Sequence, residues 1–271
     1  MKKVFVVGAS LLALGLSAHA AGELPVLGGT SKSAPSPYKV SVSLTAHNEL
    51  YEEFADGTKL MQEEADMVGV GLKVTRALSA APGQVELDLH LAKGNSTYTG
   101  SYWGGSYGDL RQGGLDRVLL ETQLSYRHAA PAWNGVGARF GLGYRHLTDH
   151  LDQIGEGGYE RENNRVYLSL GADRVFKLNA LGGWTVTPAA KYKHVLWSQQ
   201  FSDIYGGLYH SQNKGYGFDA EIAFTHQSEG YAFSFTPYYR TWKMEDSKVV
   251  IDTYEPENKT REVGVALGLT F

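Results

Sequence analysis

The chain has 271 residues, of which 42% are apolar and 20% charged, with 33 glycines, 17 tyrosines, no cysteine and a formal net charge of -4. Such a length holds one large all-β or α/β domain or two small ones. The lack of cysteine excludes thiol catalysis, cysteine-bound zinc, iron–sulfur clusters and a disulfide framework. Beyond residue 20 no stretch approaches the roughly 18 apolar residues of a membrane helix, which excludes a helical membrane protein. The mild acidity gives no general attraction for nucleic acid.

In chain order, Lys2 and Lys3 precede a short apolar run, Val4 to Leu16, and then Ala18-His19-Ala20, a small-x-small cleavage site. This is the pattern of an export signal over residues 1–20, the run being too short for a membrane anchor. Its removal takes away two lysines and no acid, so the formal charge moves from -4 to -6. Residues 21–37, rich in Gly, Ser and Pro, read as a flexible leader. From Tyr38 onward apolar residues recur at every second position in segments of about ten, beginning with Tyr38, Val40, Val42 and Leu44, continuing through Val68 to Val74 and Val85 to Leu91, and so on to the end. A period of two places alternate residues on opposite faces of a β-strand.

The last segment places Val263, Val265, Leu267, Leu269 and Phe271 on one face, with Glu262, Gly264, Ala266, Gly268 and Thr270 between them. A closing strand that ends in Phe, with apolar residues at alternate positions before it, resembles the C-terminal insertion signal of Gram-negative outer-membrane β-barrels. The resemblance implies an all-β fold, an antiparallel transmembrane β-barrel over residues 38–271, placed in the outer membrane by the barrel insertion machinery and in contact with lipid and lipopolysaccharide. On that template the alternation gives about ten strands, with eight or twelve as alternatives, and residues 21–37 become a periplasmic leader. Short connections at 79–83, 129–135, 177–183 and 227–230 alternate with long ones at 47–66, 93–116, 147–164, 199–214 and 244–260, as periplasmic turns and extracellular loops do. A soluble sandwich also alternates, but has no reason to collect every long loop at one end.

The opposite phase faces the lumen. It carries Lys39, Lys73, Arg117, Arg127, Arg139, Arg145, Arg165, Lys191, Lys193 and Arg240 against Glu86, Asp88, Glu121, Asp173, Asp219, Glu221 and Glu262. Opposite charges on adjacent strands favour a salt-bridged interior, and a barrel of eight to ten strands is narrow enough for side chains to fill. Two readings follow: a purely structural polar core, or a small porin-like protein whose basic lumen admits small anionic solutes.

The long loops carry acid, with Glu49, Glu52, Glu53, Asp56, Glu63, Glu64 and Asp66 in one and Glu245, Asp246, Asp252, Glu255 and Glu257 in another. Such runs read as a solvated rim, which oxygen ligands also equip for divalent cations shared with lipopolysaccharide. Tyr98, Tyr102, Trp103 and Tyr107, set among Gly, Ser and Thr, are candidate contacts of a surface binding protein or adhesin for an extracellular ligand. His146, Asp149, His150 and Asp152 in HLTDHLD are the candidate for a rim hydrolase, as in the omptin-type outer-membrane proteases, whose acidic residues and His-Asp pair sit at the rim. His90 beside Asp88 is a possible proton relay or a lumen pair. Phosphate loops, a GxSxG elbow and HExxH are absent, and neither a cofactor nor a resident metal is expected.

Overall fold

The computed structural model describes residues 37–79, 82–102, 105–128, 134–155, 157–178 and 182–271; the export signal, almost all of the leader and Trp103 lie outside them. In chain order the strands are β1 (Tyr38–Ala55), β2 (Thr58–Ala77), β3 (Gly83–Gly100), β4 (Leu110–His128), β5 (Val136–His150), β6 (Glu160–Arg174), β7 (Phe176–Leu178), β8 (Trp184–Ser202), β9 (Leu208–Ser211), β10 (Gly215–Gln227), β11 (Ala232–Met244) and β12 (Glu257–Thr270). Ten of them form the wall, all antiparallel, and β12 returns to pair with β1. The short β7 and β9 pair with β8 alone. Closure leaves no unpaired edge, which is what lets a sheet cross lipid.

Period-two alternation holds on all ten wall strands in the phase read from the sequence. Leu44, Val68, Val70, Leu89, Leu91, Leu124, Leu142, Leu170, Val263 and Leu267 are exposed on the outside, while His47, Glu49, Tyr51, Arg117, Arg145 and Lys193 are buried within. Nine residues, Val263 to Phe271, at about 3.3 Å rise and about 40° tilt span about 23 Å, the height of a bilayer-matched apolar band. The 18 residues of β1 reach about 45 Å on the same arithmetic. The wall therefore continues well beyond its apolar belt, away from the chain termini.

That continuation corrects the expected loops. Strands β1 and β2 meet in a two-residue turn at Asp56-Gly57, with φ of 50° and 76°, the positive pair of a type I′ hairpin. Segment 93–116 is mostly the ends of β3 and β4, and among the described residues segment 147–164 holds the ends of β5 and β6 and, between them, a 3₁₀ turn, Leu151–Ile154. At the terminal end Asn134 and Gly135, which lead into β5, also take positive φ, 49° and 82°.

Two prolines interrupt ladders where their missing N–H falls. The β10–β11 ladder pairs Glu221 with Tyr238 and next Phe224 with Phe235, skipping the positions beside Pro237. Pro188 lies between Ala189, the last β8 residue paired with β6, and Val186, which pairs with β7. A bulge at Leu196, where Val166 pairs with Trp197 and Tyr167 with Val195, shifts the phase of β8 so that Ser198, Gln200 and Ser202 point inward.

Candidate functional site

The interior is layered. Nearest the chain termini the inward residues are small, among them Ser41, Ser43, Gly71, Ala223, Ser234, Gly268 and Thr270, and they leave a cavity of about 340 Å³. Its charges are paired along the wall: Lys73 with Asp88 at 3.2 Å, Arg139 with Glu86 at 2.5 Å and Asp173 at 2.8 Å, Arg127 with Asp173 at 2.6 Å, and Lys191 with Asp219 at 3.6 Å. Lys193 also reaches Asp219 at 2.5 Å, and Arg240 approaches Glu262 at 3.8 Å. Lys191 and Lys193 stand on β8 beside Asp219 of β10, and Arg240 on β11 beside Glu262 of β12. Glu221 lines the same cavity. The expected relay does not form: Asp88 is held by Lys73, and His90 Nε2 meets Thr45 Oγ1 at 2.9 Å.

Above this cavity the lumen is crossed by side chains. Arg145 of β5 reaches Glu262 of β12 at 2.7 Å and Glu49 of β1 at 2.8 Å, and contacts Glu121 at 3.4 Å. Arg161 of β6 reaches Glu53 of β1 at 2.6 Å, Glu63 of β2 at 2.7 Å and Asp149 of β5 at 3.0 Å. Arg117 of β4 holds Glu49 at 2.6 Å, Glu63 at 3.0 Å and Asp149. In the strand order β5 and β12 are five strands apart in either direction, as are β6 and β1, so the Arg145–Glu262 and Arg161–Glu53 pairs run straight across the barrel. Arg117, Arg145, Arg161, Glu49, Glu63, Asp149 and Glu262 are each exposed by 2% or less. Buried charges are costly unless each meets a partner, and each of these three guanidiniums has at least two carboxylates. Apolar side chains pack on either side of the network: Ala65, Met67, Ala92, Leu119 and Leu147 in one cluster, Tyr167, Val195, Trp242 and Met244 in another.

The network changes the sequence reading in two ways. Glu49, Glu53 and Glu63 are inward and buried rather than part of a solvated rim, and with Asp149 they offset the basic surplus expected of the lumen. Arg117, Arg145, Arg165, Lys193 and Glu262 fill the interior at their level rather than line an open one. The signal for this was present: the alternation of Val42 and Leu44 continues, so that His47, Glu49, Tyr51 and Glu53 occupy every second position on the opposite, inward face up to the Asp-Gly turn. His47, Glu49 and Glu262 are close enough to ligate one ion, but Arg145 already bridges the two glutamates and supplies the positive charge there.

HLTDHLD is split by the strand itself. Asp149 points inward to Arg117 and Arg161, whereas His146 is on the outer face, its Nδ1 2.9 Å from Asn164 and its Nε2 3.1 Å from Thr148. His150 stands 3.6 Å from Asp152 and 3.8 Å from Glu160. Asp149 is thereby parted from His146 and His150, and His150 is left with Asp152 and Glu160.

Beyond the apolar belt, at the far end, a pair missed in the sequence appears. His210 Nδ1 lies 3.4 Å from Glu255 Oε1, and Ser202 donates to the same oxygen at 3.2 Å. Burial raises the Glu255 carboxyl above its ordinary range against the pull of Arg161, and burial lowers the His210 imidazole. Both shifts favour a neutral pair. Since Thr253 Oγ1 donates to Val250 O at 2.7 Å, its 3.1 Å contact with His210 Nε2 makes that nitrogen the donor and leaves Nδ1 to accept. Outside this pair the tips expose Tyr102, Tyr107, Tyr209, Tyr254 and Val249, with Tyr205 and Ile251 the most open at 77% and 74%. Tyr98 instead belongs to β3 and is half-buried.

The sequence matches no protein-family model and no curated protein. Among solved structures the chain is similar to the outer-membrane protease OmpT from Escherichia coli, with a TM-score of 0.57 and 9% identity over 89% of this chain and 99% of that one. The translocator domain of the autotransporter NalP from Neisseria meningitidis aligns at a TM-score of 0.40, 11% identity, and 87% and 89% coverage. Together with closure, strand count and alternation, the likeness to OmpT shows the fold, a closed ten-stranded antiparallel barrel with the architecture of the outer-membrane β-barrels.

Proposed function

We propose that the protein is an exported outer-membrane barrel, sealed at mid-height, that works from its extracellular end as a surface binding module rather than as a porin-like conduit. The observation that carries this reading is the pair of cross-barrel ion pairs, Arg145–Glu262 and Arg161–Glu53, lying beneath a rim of exposed aromatics. Conduction needs a continuous watery path, and a layer of buried, mutually satisfied charges opposes one. Rigid aromatic side chains at loop tips supply contact area at little cost in entropy and suit an extracellular ligand. On this reading the terminal strand, Val263 to Phe271, serves the insertion machinery, the outer face of the belt meets lipid and lipopolysaccharide, and the closed interior acts as a rigid mount.

The test is attachment. Barrel reconstituted in vesicles is probed on a glycan array and on cultured host cells, against a variant with Tyr102, Tyr107, Tyr205 and Tyr209 changed to Ser. Loss of one good aromatic anchor is worth about 1–2 kcal/mol, so about tenfold weaker attachment is expected. Equal attachment by both proteins refutes the tip surface as the binding site.

A further inference from the structure

We propose that Arg165 is the centre of a buried site for a small monovalent anion of halide size. Arg165 projects inward from β6 and is 2% exposed. It differs from its neighbours in the network: Arg117, Arg145 and Arg161 each contact at least two carboxylates, whereas Arg165 contacts none. Among the described residues its partners are Asn258 Oδ1, 3.5 Å from Nη2, and the face of Trp242, 5.5 Å from the guanidinium carbon. The nearest acid able to answer it electrostatically, Glu49, is already held by Arg117 and Arg145.

The side chains around it are donors in want of acceptors. Arg165 Nε, Asn163 Nδ2 and Trp242 Nε1 are all buried with no hydrogen-bond partner, while the Gln200 side chain beside them turns to the Glu255 carboxyl. Their placement follows from the wall. Asn163 stands two residues before Arg165 on the same inward face of β6, and the bulge in β8 turns Gln200 inward directly opposite Asn163. Trp242 is fixed edge-on against Tyr167, with ring centroids 5.1 Å apart. One positive charge and two unpartnered neutral N–H groups, those of Asn163 and Trp242, thus share a buried corner of the lumen. An isolated buried charge and orphaned N–H groups are each costly. An acceptor-only ligand of single negative charge removes both penalties at once, whereas a cation removes neither and a neutral sugar leaves the charge unanswered. The residues that enclose the corner are exposed by 3% or less, which suits an ion of one or a few atoms.

Bromide is the probe. The full-length barrel in detergent is melted, with heat-modified gel mobility as the readout, across a series of sodium bromide concentrations and in sodium gluconate at matched ionic strength, and crystals grown in bromide are examined for anomalous scattering. Wild type should gain stability with the logarithm of bromide concentration, with an anomalous peak beside Arg165. Arg165→Met should lose that dependence. Trp242→Phe keeps the ring but removes one donor and should weaken bromide binding by about threefold to tenfold; it carries the test if Arg165→Met does not assemble. Identical melting in bromide and gluconate, or a bromide response that survives in the variants, overturns the proposal.

Discussion

Replacing Arg117 with Met separates a buried network from ordinary surface ion pairs. The guanidinium is shared by Glu49, Glu63 and Asp149. Without it Glu49 keeps Arg145, and Glu63 and Asp149 both fall to Arg161. One buried negative charge is then unanswered, and removal of one partner from a buried pair costs about 3–5 kcal/mol. The control is Lys214→Met, whose partner Glu245 lies 3.5 Å away with side chains 81% and 60% exposed; such pairs contribute at most about 1 kcal/mol. Urea unfolding in phospholipid vesicles, followed by the fluorescence of the five tryptophans, reads both. Arg117→Met together with Asp149→Asn should recover much of the loss, because the surplus charge leaves with its partner. If Arg117→Met stays within about 1 kcal/mol of wild type, the network does not hold the wall as described.

Three further outcomes are expected. Glu255→Gln should stabilise the barrel at pH 7 and lose its advantage as pH falls toward 4.5. A carboxyl raised by burial weakens the fold when ionised and is relieved on protonation; a pH series of melting curves checks the sign, and a gain that grows toward low pH contradicts it. Leu267→Arg, on the lipid face of β12, should cost about 2–4 kcal/mol in vesicles, with an effect that shrinks in detergent, where a charged head reaches water more easily. Deletion of Phe271 should reduce the amount of barrel assembled in the outer membrane of an expressing cell, and unchanged assembly would deny the terminal strand its insertion role.

The wall was legible in the sequence because an all-antiparallel barrel writes its register locally: each Val or Leu at a lipid-facing position is two residues from the next. The far half was misread because charge density masked the same period. Glu49, Glu53 and Glu63 look like a solvated loop when counted by composition, yet they keep the period of two on the inward face, opposite to Val42, Leu44 and Val68. HLTDHLD shows the converse error, since residues that cluster in sequence are parted when successive side chains of a strand face opposite ways. Cross-barrel contacts such as Arg161–Glu53 depend on strand number and shear, which no local pattern encodes. The same is true of the corner around Arg165, where a single bulge at Leu196 decides that Gln200 faces Asn163.

Single-channel recording in planar bilayers tests the sealed barrel most directly. The wild-type protein should insert and remain silent across the voltage range, whereas Arg145→Ala with Arg161→Ala, which removes both diametric bridges, should give discrete conductance steps. Steady ohmic conductance through the wild type would contradict the account.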